Sequence, residues 1–332
     1  MKTVGLLAAC ILLSAAISSC RQDFKDGKTY TGFVLNQFDD KSYIHDIKIK
    51  DGYTYLLDDK SDSALRIYRN DDLTHLLAYI PKGIGKDVLQ KPVFCKEIPG
   101  HPYEGIRVMD DGLSLKTVNP EKGLAISSFS YIDGLSNSHD YNFIQEEVCA
   151  VPVFPYKDSP FYFYNEKKRY FRVEPDESLA SVLRKIPVGY SASLCVNEKR
   201  NSIALAYRFT NHVSFYRLDG EPAKSFFIEK PPVMPVISGK EIDVEASTKC
   251  FTHIYGTAPY IYCLYDGSAD FSNRSRLYIY TWEGKREATI LLDRNIRTFA
   301  VDEGNNFILA VSRSPEDGQE LVIYRIKTSS RP

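Results

Sequence analysis

Six histidines are the side chains of this sequence best suited to acid–base or metal chemistry, because imidazole titrates near neutral pH and binds metal ions. They are His45, His75, His101, His139, His212 and His253. No two of them have the H-x-x-x-H or H-E-x-x-H spacing that places two metal ligands on one helix face. The sequence therefore predicts no local metal site, and any such site must be assembled from distant segments.

Other catalytic patterns are also incomplete. Ser–His–Asp hydrolysis needs a nucleophile on a sharp turn such as G-x-S-x-G, and the nearest segment, Gly189–Ser193, lacks the second glycine. Paired carboxylates for glycoside cleavage would have to come from different parts of the chain. Adjacent acids such as Asp58-Asp59 and Asp110-Asp111 would point to opposite faces of a strand or to water in a turn. We interpret them as solvated turn residues.

The cysteines give no clear redox or metal signature. Besides Cys10 and Cys20 near the N-terminus, the chain contains Cys95, Cys149, Cys195, Cys250 and Cys263. No pair has the C-x-x-C spacing of a zinc or redox site, and the neighbouring residues are apolar. We interpret these thiols as small buried core residues, and a bridge between Cys250 and Cys263 stays open.

The N-terminus carries an export signal. The apolar stretch Val4–Ile17 is too short to cross a bilayer, which takes about 20 residues, and it fits the apolar region of a secretory signal. The following Ile17–Cys20 resembles the lipobox of bacterial lipoproteins, in which the cysteine is acylated and becomes the new N-terminus. We expect a signal peptide over 1–19, a lipid on Cys20 and a tether over 20–28. The alternative is an ordinary signal peptide that contains a cysteine.

Composition fits a folded body behind that anchor. The chain is 43% hydrophobic and 26% charged, with a formal net charge of −1. Such a balance lacks the dense basic face that nucleic acid requires, so we expect no nucleic-acid partner. Arg21 replaces the aspartate that retains lipoproteins at the inner membrane in some bacteria, so we expect the outer membrane. The sequence does not distinguish its periplasmic face from its outer face.

Strand-like runs with a recurring marker dominate the rest of the chain. The marker is an apolar residue followed by tyrosine beside a polar turn, and its copies, two of them weaker, lie at Ile67-Tyr68, Leu115–Val118, Phe163-Tyr164, Phe215-Tyr216, Ile279-Tyr280 and Ile323-Tyr324. Steps of roughly 45 to 65 residues are typical of four-stranded propeller blades. We therefore predict an all-β fold, a six-bladed β-propeller over 29–332. A strand near Thr29–Leu35 would close the last blade and protect its edge. The alternative is a pair of β-sandwiches.

A propeller would bring distant residues together at its central axis. The start of each inner strand would face that axis, which makes His45, Asp46, Tyr190 and His253 candidate ligand-binding residues. His139 is a further candidate in a polar loop. A divalent metal at the axis is an open alternative, although no cofactor is indicated.

Several segments resemble a known family. Tyr260–Gly267, Ile279–Lys285 and Phe299–Glu303 look like parts of the TolB-like six-bladed propeller lipoproteins of the Bacteroides group, and Ala204–Tyr207 is similar to a central blade of that family. The resemblance implies an exported, lipid-anchored propeller. It implies no catalytic motif.

These observations favour a binding or protein-interaction module over an enzyme. We expect it to be lipid-anchored in the bacterial cell envelope and to bind an envelope protein, peptide or glycan of unknown identity. The alternative function is a metal-assisted hydrolase or lyase with its site at the propeller axis.

Overall fold

The structure is a computed structural model, and it describes residues 26–96, 105–112, 114–122, 126–131, 138–144, 147–152, 161–164, 171–172, 191–239, 241–313 and 318–326. The predicted signal peptide, Cys20 and Tyr190 lie outside these ranges. Within them, helix is limited to the 3₁₀ turns Pro120–Lys122 and Glu198–Arg200. No helix in these ranges is long and apolar enough to cross a membrane.

Strands account for most of the described residues, as expected from the alternating apolar runs. In chain order they are β1 (Thr29–Tyr30), β2 (Phe33–Phe38), β3 (Ile44–Lys50), β4 (Tyr53–Asp58), β5 (Ser63–Arg69), β6 (Ala78–Pro81), β7 (Pro92–Lys96), β8 (Ile106–Asp110), β9 (Ser114–Val118), β10 (Ile126–Tyr131), β11 (Ser138–Ile144), β12 (Glu147–Pro152), β13 (Tyr162–Tyr164), β14 (Phe171–Arg172), β15 (Ala192–Asn197), β16 (Ser202–Tyr207), β17 (His212–Tyr216), β18 (Pro222–Phe227), β19 (Ile237–Ser238), β20 (Glu241–Ile242), β21 (Lys249–Gly256), β22 (Tyr260–Ser268), β23 (Arg276–Thr281), β24 (Arg286–Leu292), β25 (Ile296–Val301), β26 (Phe307–Arg313) and β27 (Gln319–Arg325).

Consecutive strands pair antiparallel into meanders, which are the units of the fold. Strands β3 to β6 and β15 to β18 each form a four-stranded sheet. Strands β21 to β24 take β1 as a fifth strand, and β25 to β27 take β2 as a fourth. The meanders β7 to β10 and β11 to β14 share one eight-stranded sheet, and β19 and β20 form a small hairpin. The prediction of an all-β propeller is thereby confirmed.

The predicted count of six blades is wrong, because the described residues form five sheets of four or more strands. The difference arises where β11 runs parallel to β7, with Tyr141 opposite Cys95 and Asn142 opposite Lys96. This pairing joins two meanders into one sheet. The six sequence markers could not indicate this pairing, because each of the two meanders contains a marker. The markers lie on the third strand of each meander, namely β5, β9, β13, β17, β23 and β27.

The predicted closure by an N-terminal strand is confirmed. Strand β2 pairs antiparallel with β27 and completes the last sheet, and β1 pairs in parallel with β24 of the preceding sheet. Gly32 lies at the crossing between them, where a Cβ atom would stand 2.7 Å from the ring of Tyr324. The N-terminal segment therefore ties the last two sheets together and covers the edge of β27.

Apolar side chains fill the spaces between neighbouring sheets. Tyr262 and Ile279 of one sheet pack with Phe299 and Val322 of the next, and all four are fully buried. Equivalent clusters lie between β15–β18 and β21–β24 and between β3–β6 and β7–β10. Each such side chain contributes about 1.5–3 kcal/mol by its removal from water. The core is thus distributed around the ring, and the polar side chains that face the axis are not needed to form it.

Candidate functional site

Six strands surround the central axis, namely the first strands β3, β7, β11, β15, β21 and β25 of the meanders. Each packs beside the next, and β25 returns to β3. Residues at the starts of adjacent strands lie together: His45 Nε2 is 3.3 Å from Pro92 O, and His139 Nε2 is 3.0 Å from Ala192 O. The six strands therefore run in the same direction. We call the end at which they begin the mouth and the other end the base.

A small cavity lies on this axis, with a volume of about 30 Å³ and an opening to solvent. Its walls come from β3, β7, β11, β15 and β21. The polar side chains in these walls are Asp46, Lys48, Lys96, Asn142, His253 and Tyr255. The propeller thus brings polar groups from distant segments into one space, as the sequence predicted in outline.

The most extensively bonded group beside the cavity is the ion pair of Lys96 and Asp140, whose Nζ and Oδ2 atoms are 2.6 Å apart. Asp140 Oδ2 also accepts a hydrogen bond from Leu194 N at 3.0 Å, and Lys96 Nζ donates to Leu194 O at 3.1 Å. Asn142 Nδ2 lies 3.4 Å from Asp140 Oδ1. The two charges compensate each other, and the hydrogen bonds of this group connect β7, β11 and β15. The group therefore has a structural role.

Asp46 is the acid of the cavity wall. Its Oδ1 accepts hydrogen bonds from Ile47 N at 2.8 Å and from Thr298 Oγ1 at 3.2 Å. Burial raises the pKa of Asp46, and the neighbouring side chains of His45 and Lys96 oppose that shift in part. The carboxyl group is therefore easier to protonate than an exposed aspartate.

His253 and Tyr255 form the β21 side of the cavity. Burial, together with the charge of Lys96, lowers the pKa of His253 well below its ordinary range, so the imidazole is neutral at pH 7. Its ring packs edge-on against Phe299, with centroids 5.4 Å apart. Burial raises the pKa of Tyr255. Neither side chain carries a charge at neutral pH.

The described thiols are core residues, as the sequence predicted. Cys95, Cys195, Cys250 and Cys263 are buried, and Cys250 and Cys263 are free, so the bridge considered between these two is not formed. Burial raises the pKa of Cys250 to about 12 and also raises the pKa of Cys195 and of Cys263. The side chain of Cys149 lies outside the described part of the chain. The thiols of Cys195, Cys250 and Cys263 therefore stay protonated and are poor nucleophiles.

The interpretation of the acidic pairs as solvated turn residues is wrong for Asp58 and Asp110. Asp58 is 1% exposed and pairs with Arg66 at 2.7 Å, and Asp110 is 4% exposed and pairs with Lys116 at 2.8 Å. Both carboxylates also accept hydrogen bonds from backbone N–H groups just before the inner strand of their own sheet. They hold the mouth loops in place and are not free for chemistry.

The structure places the predicted site residues at two levels of the axis. Asp46 and His253 line the cavity. His45 and His139 lie at the mouth, where His45 Nδ1 is 3.1 Å from Asp59 Oδ1 and His139 is exposed. The loop predicted around His139 is wrong, since His139 belongs to β11. Their role in binding stays a prediction.

Sequence reasoning missed Lys48, Lys96, Asn142 and Tyr255. A signal was available, because these residues alternate with apolar neighbours along β3, β7, β11 and β21, as expected for strands with one polar face. Within the described ranges, no three His, Cys, Asp or Glu side chains are grouped to hold a metal ion.

No protein-family model matches the sequence, and no curated protein matches it. Similar folds occur among solved structures. A member of the DUF4221 family from Bacteroides vulgatus has a TM-score of 0.56 at 10% identity, over 92% of this chain and 99% of that one. The WD40 repeats of RRP9 have a TM-score of 0.54 at 11% identity, over 92% of this chain and 100% of the other. These comparisons show a β-propeller fold, and the resemblance to TolB-like lipoproteins stays a prediction.

Proposed function

We propose that the chain is a non-catalytic binding module of the bacterial cell envelope. In this proposal a lipid on Cys20 tethers the propeller to the outer membrane, and the mouth of the axis receives part of an envelope protein, a peptide or a glycan. The observation that carries the proposal is the axial cavity, where polar side chains from separate sheets face one space. A propeller fold supports the same role, because it presents a rigid concave surface that suits an interaction module.

The cavity is better suited to holding a ligand than to breaking a bond. The Cys195 thiol stays protonated because burial raises its pKa, and the His253 imidazole is neutral. Lys96 and Asp140 satisfy each other. The metal-assisted hydrolase or lyase makes a different prediction, namely a stoichiometric divalent ion in the purified protein, which elemental analysis would detect.

The anchor is tested by the Cys20→Ser variant. The wild-type protein is expected in the membrane fraction, with an acylated N-terminal cysteine detected by mass spectrometry, and the variant in the soluble fraction. An unacylated mature terminus in the wild-type protein would refute the lipid anchor.

The binding role is tested by photocrosslinking in cells that produce the full-length protein. A photoreactive residue at His139, which is exposed at the mouth, is expected to give discrete crosslinked products. The same residue at Tyr79, which is 56% exposed on the outer strand β6, serves as the matched control. Identical patterns at the two positions would contradict a ligand at the mouth.

A further inference from the structure

Three arginines from separate segments lie at the mouth. Arg208 follows β16, where its N–H donates to Ser191 O at 2.8 Å and its carbonyl accepts from Cys250 N at 2.7 Å, so it lies between the starts of β15 and β21. Arg297 is the second residue of β25. Arg313 ends β26, and its N–H donates to Asn295 O at 2.9 Å, just before β25. The topology thus places all three side chains at one end of the axis.

These guanidinium groups lack counter-ions in the part of the chain that the structure describes. Arg66, Arg276 and Arg294 each form an ion pair, whereas Arg208, Arg297 and Arg313 form none and make no side-chain hydrogen bond there. The Nε atoms of Arg297 and Arg313 are also buried without a hydrogen-bond partner. An uncompensated cluster of partly buried charge is unfavourable unless a ligand completes it.

Two acids attract arginines of the cluster, but neither forms an ion pair with them in the described residues. Asp59 attracts Arg297, but it pairs with His45 Nδ1 at 3.1 Å. Asp266 attracts Arg313; its Oδ1 accepts a hydrogen bond from Ser268 N at 2.9 Å, and its Oδ2 is buried and forms neither a hydrogen bond nor an ion pair with Arg313 in the described part of the chain. Burial and then the charge of Arg297 lower the pKa of Arg208 and of Arg313, so the arginines repel one another.

Aromatic rings lie against all three guanidinium groups: the centroid of the Phe209 ring is 5.7 Å from that of Arg208, and the other two contacts are closer. The Arg297 guanidinium carbon lies 4.0 Å from the centroid of the Tyr43 ring, and that of Arg313 lies 4.0 Å from the centroid of Phe271. Stacking covers one face of a guanidinium and leaves the N–H groups at its edges for a ligand. Phe271 has a φ of 59°, a left-handed conformation that is strained for a bulky residue and is often associated with function.

We propose that Arg208, Arg297 and Arg313 bind an oxyanion, either a carboxylate or a phosphate group, at the mouth of the propeller. The proposal rests on the binding role proposed above and names the chemistry of the ligand. Guanidinium groups bind such anions in pairs of parallel hydrogen bonds, which gives both affinity and orientation. The anion replaces mutual repulsion among three cations with attraction to one shared charge.

Titration calorimetry on the detergent-solubilised full-length protein tests the proposal. Inorganic phosphate and succinate are titrated separately at an ionic strength held constant with sodium chloride. Saturable binding of at least one anion is expected, and the tighter of the two distinguishes a phosphorylated ligand from an acidic one. Arg208→Gln and Arg297→Gln should each weaken binding by about tenfold or more, which corresponds to about 1.4 kcal/mol.

Arg325→Gln is the matched control. Arg325 is an exposed arginine at the base end of β27, on the same hairpin as Arg313, and its loss should leave the affinity unchanged. The absence of saturable binding, or an equal loss of affinity in all three variants, would overturn the proposal.

Thermal unfolding provides a readout that does not depend on calorimetry. In anion-free buffer, Arg297→Gln should raise Tm, because the substitution relieves the repulsion between the arginines. Phosphate or succinate should raise the Tm of the wild-type protein but not that of the variant. Arg208→Gln tests the same point at a position more exposed than Arg297, so that a folding defect at Arg297 does not decide the result. If neither anion raises the wild-type Tm, the oxyanion site is refuted.

Crosslinking at His139 without anion binding would refute the oxyanion site alone, whereas anion binding without a crosslinked partner would refute the proposed envelope role.

Discussion

At the residue scale, the buried acids at the mouth loops are the side chains whose contribution to stability is clearest. Asp110 and Asp111 are adjacent in the sequence but differ completely in surroundings. Asp110 pairs with Lys116, whose side chain is 3% exposed, whereas Asp111 pairs with Lys91 at 3.6 Å on the surface. The two residues therefore provide a matched comparison of a buried and an exposed charge.

We expect Asp110→Asn to lower the free energy of unfolding by about 3–5 kcal/mol, because it removes the carboxylate from a buried ion pair. Asp111→Asn should cost about 0–1 kcal/mol, and asparagine tolerates the positive φ at this position. Chemical denaturation measures both values. Similar losses for the two variants would show that burial does not decide the effect.

Replacing the carboxylate of Asp46 should have the opposite effect on stability from replacing that of Asp110. Burial raises its folded-state pKa above the unfolded value, so its ionisation opposes folding, and stability falls as the pH rises through the shifted pKa. Asp46→Asn keeps an acceptor for Ile47 N and Thr298 and should increase the free energy of unfolding at pH 7. The gain should shrink as the pH falls and the wild-type carboxyl group becomes protonated.

Denaturation curves measured at a series of pH values between 4 and 8 follow this difference. Asp62→Asn, at an exposed acid of the same sheet, controls for the loss of one negative charge. A destabilised Asp46→Asn variant at pH 7 would show that the carboxylate contributes favourably to folding.

At the element scale, the crossing at Gly32 decides how the ring closes. A side chain there would collide with Val322 and with the ring of Tyr324, which stands 2.7 Å from the position of a Cβ atom. We expect Gly32→Ala to lower the free energy of unfolding by about 1–3 kcal/mol, since a well-packed site has little room to adjust. Gly83→Ala is the control, because a Cβ atom there would meet Val88 at an ordinary 3.6 Å.

Hydrogen exchange should localise the Gly32→Ala effect. The amides of β2 should exchange faster in the variant, because β2 is the strand whose entry is displaced. Unchanged protection of β2 with a lower Tm would place the defect elsewhere.

The sequence predicted the elements better than it predicted their assembly. Each marker such as Ile67-Tyr68 or Phe215-Tyr216 is local, because a half-buried strand and its turn are encoded within a few residues. The parallel pairing of Tyr141 with Cys95 depends on how two distant meanders pack, and no local pattern encodes it.

The site was predictable only in part for the same reason. His45, Asp46 and His253 stand out as polar residues at expected strand starts. The burial of Asp58 depends on its partner Arg66 on the next strand, and the arginine cluster depends on three segments that meet only in the folded ring.

At the scale of the whole molecule, the closed ring should unfold as a unit. Two buried probes lie in different sheets: Trp282, the single tryptophan, follows β23, and Cys95 lies in β7 of the eight-stranded sheet. Each sheet packs on two neighbours, so none can open alone without exposing apolar surface on both sides.

We therefore expect the fluorescence of Trp282 and the labelling of Cys95 by iodoacetamide to report the same unfolding midpoint in urea. Mass spectrometry of tryptic peptides identifies the labelled cysteine, and Cys195 and Cys263, buried near Trp282, are internal controls. Labelling of Cys95 at a lower urea concentration would show that the eight-stranded sheet opens independently.

The direction in which the chain enters the ring has a consequence for orientation. Strand β1 is parallel to β24, and β24 runs toward the end at which the inner strands begin. From Tyr30 back toward the N-terminus, the chain therefore runs toward the base and away from the end that bears Arg208, Arg297 and Arg313. If Cys20 is acylated as proposed, this direction of entry favours an arrangement in which the base of the propeller faces the bilayer and the other end faces away from it.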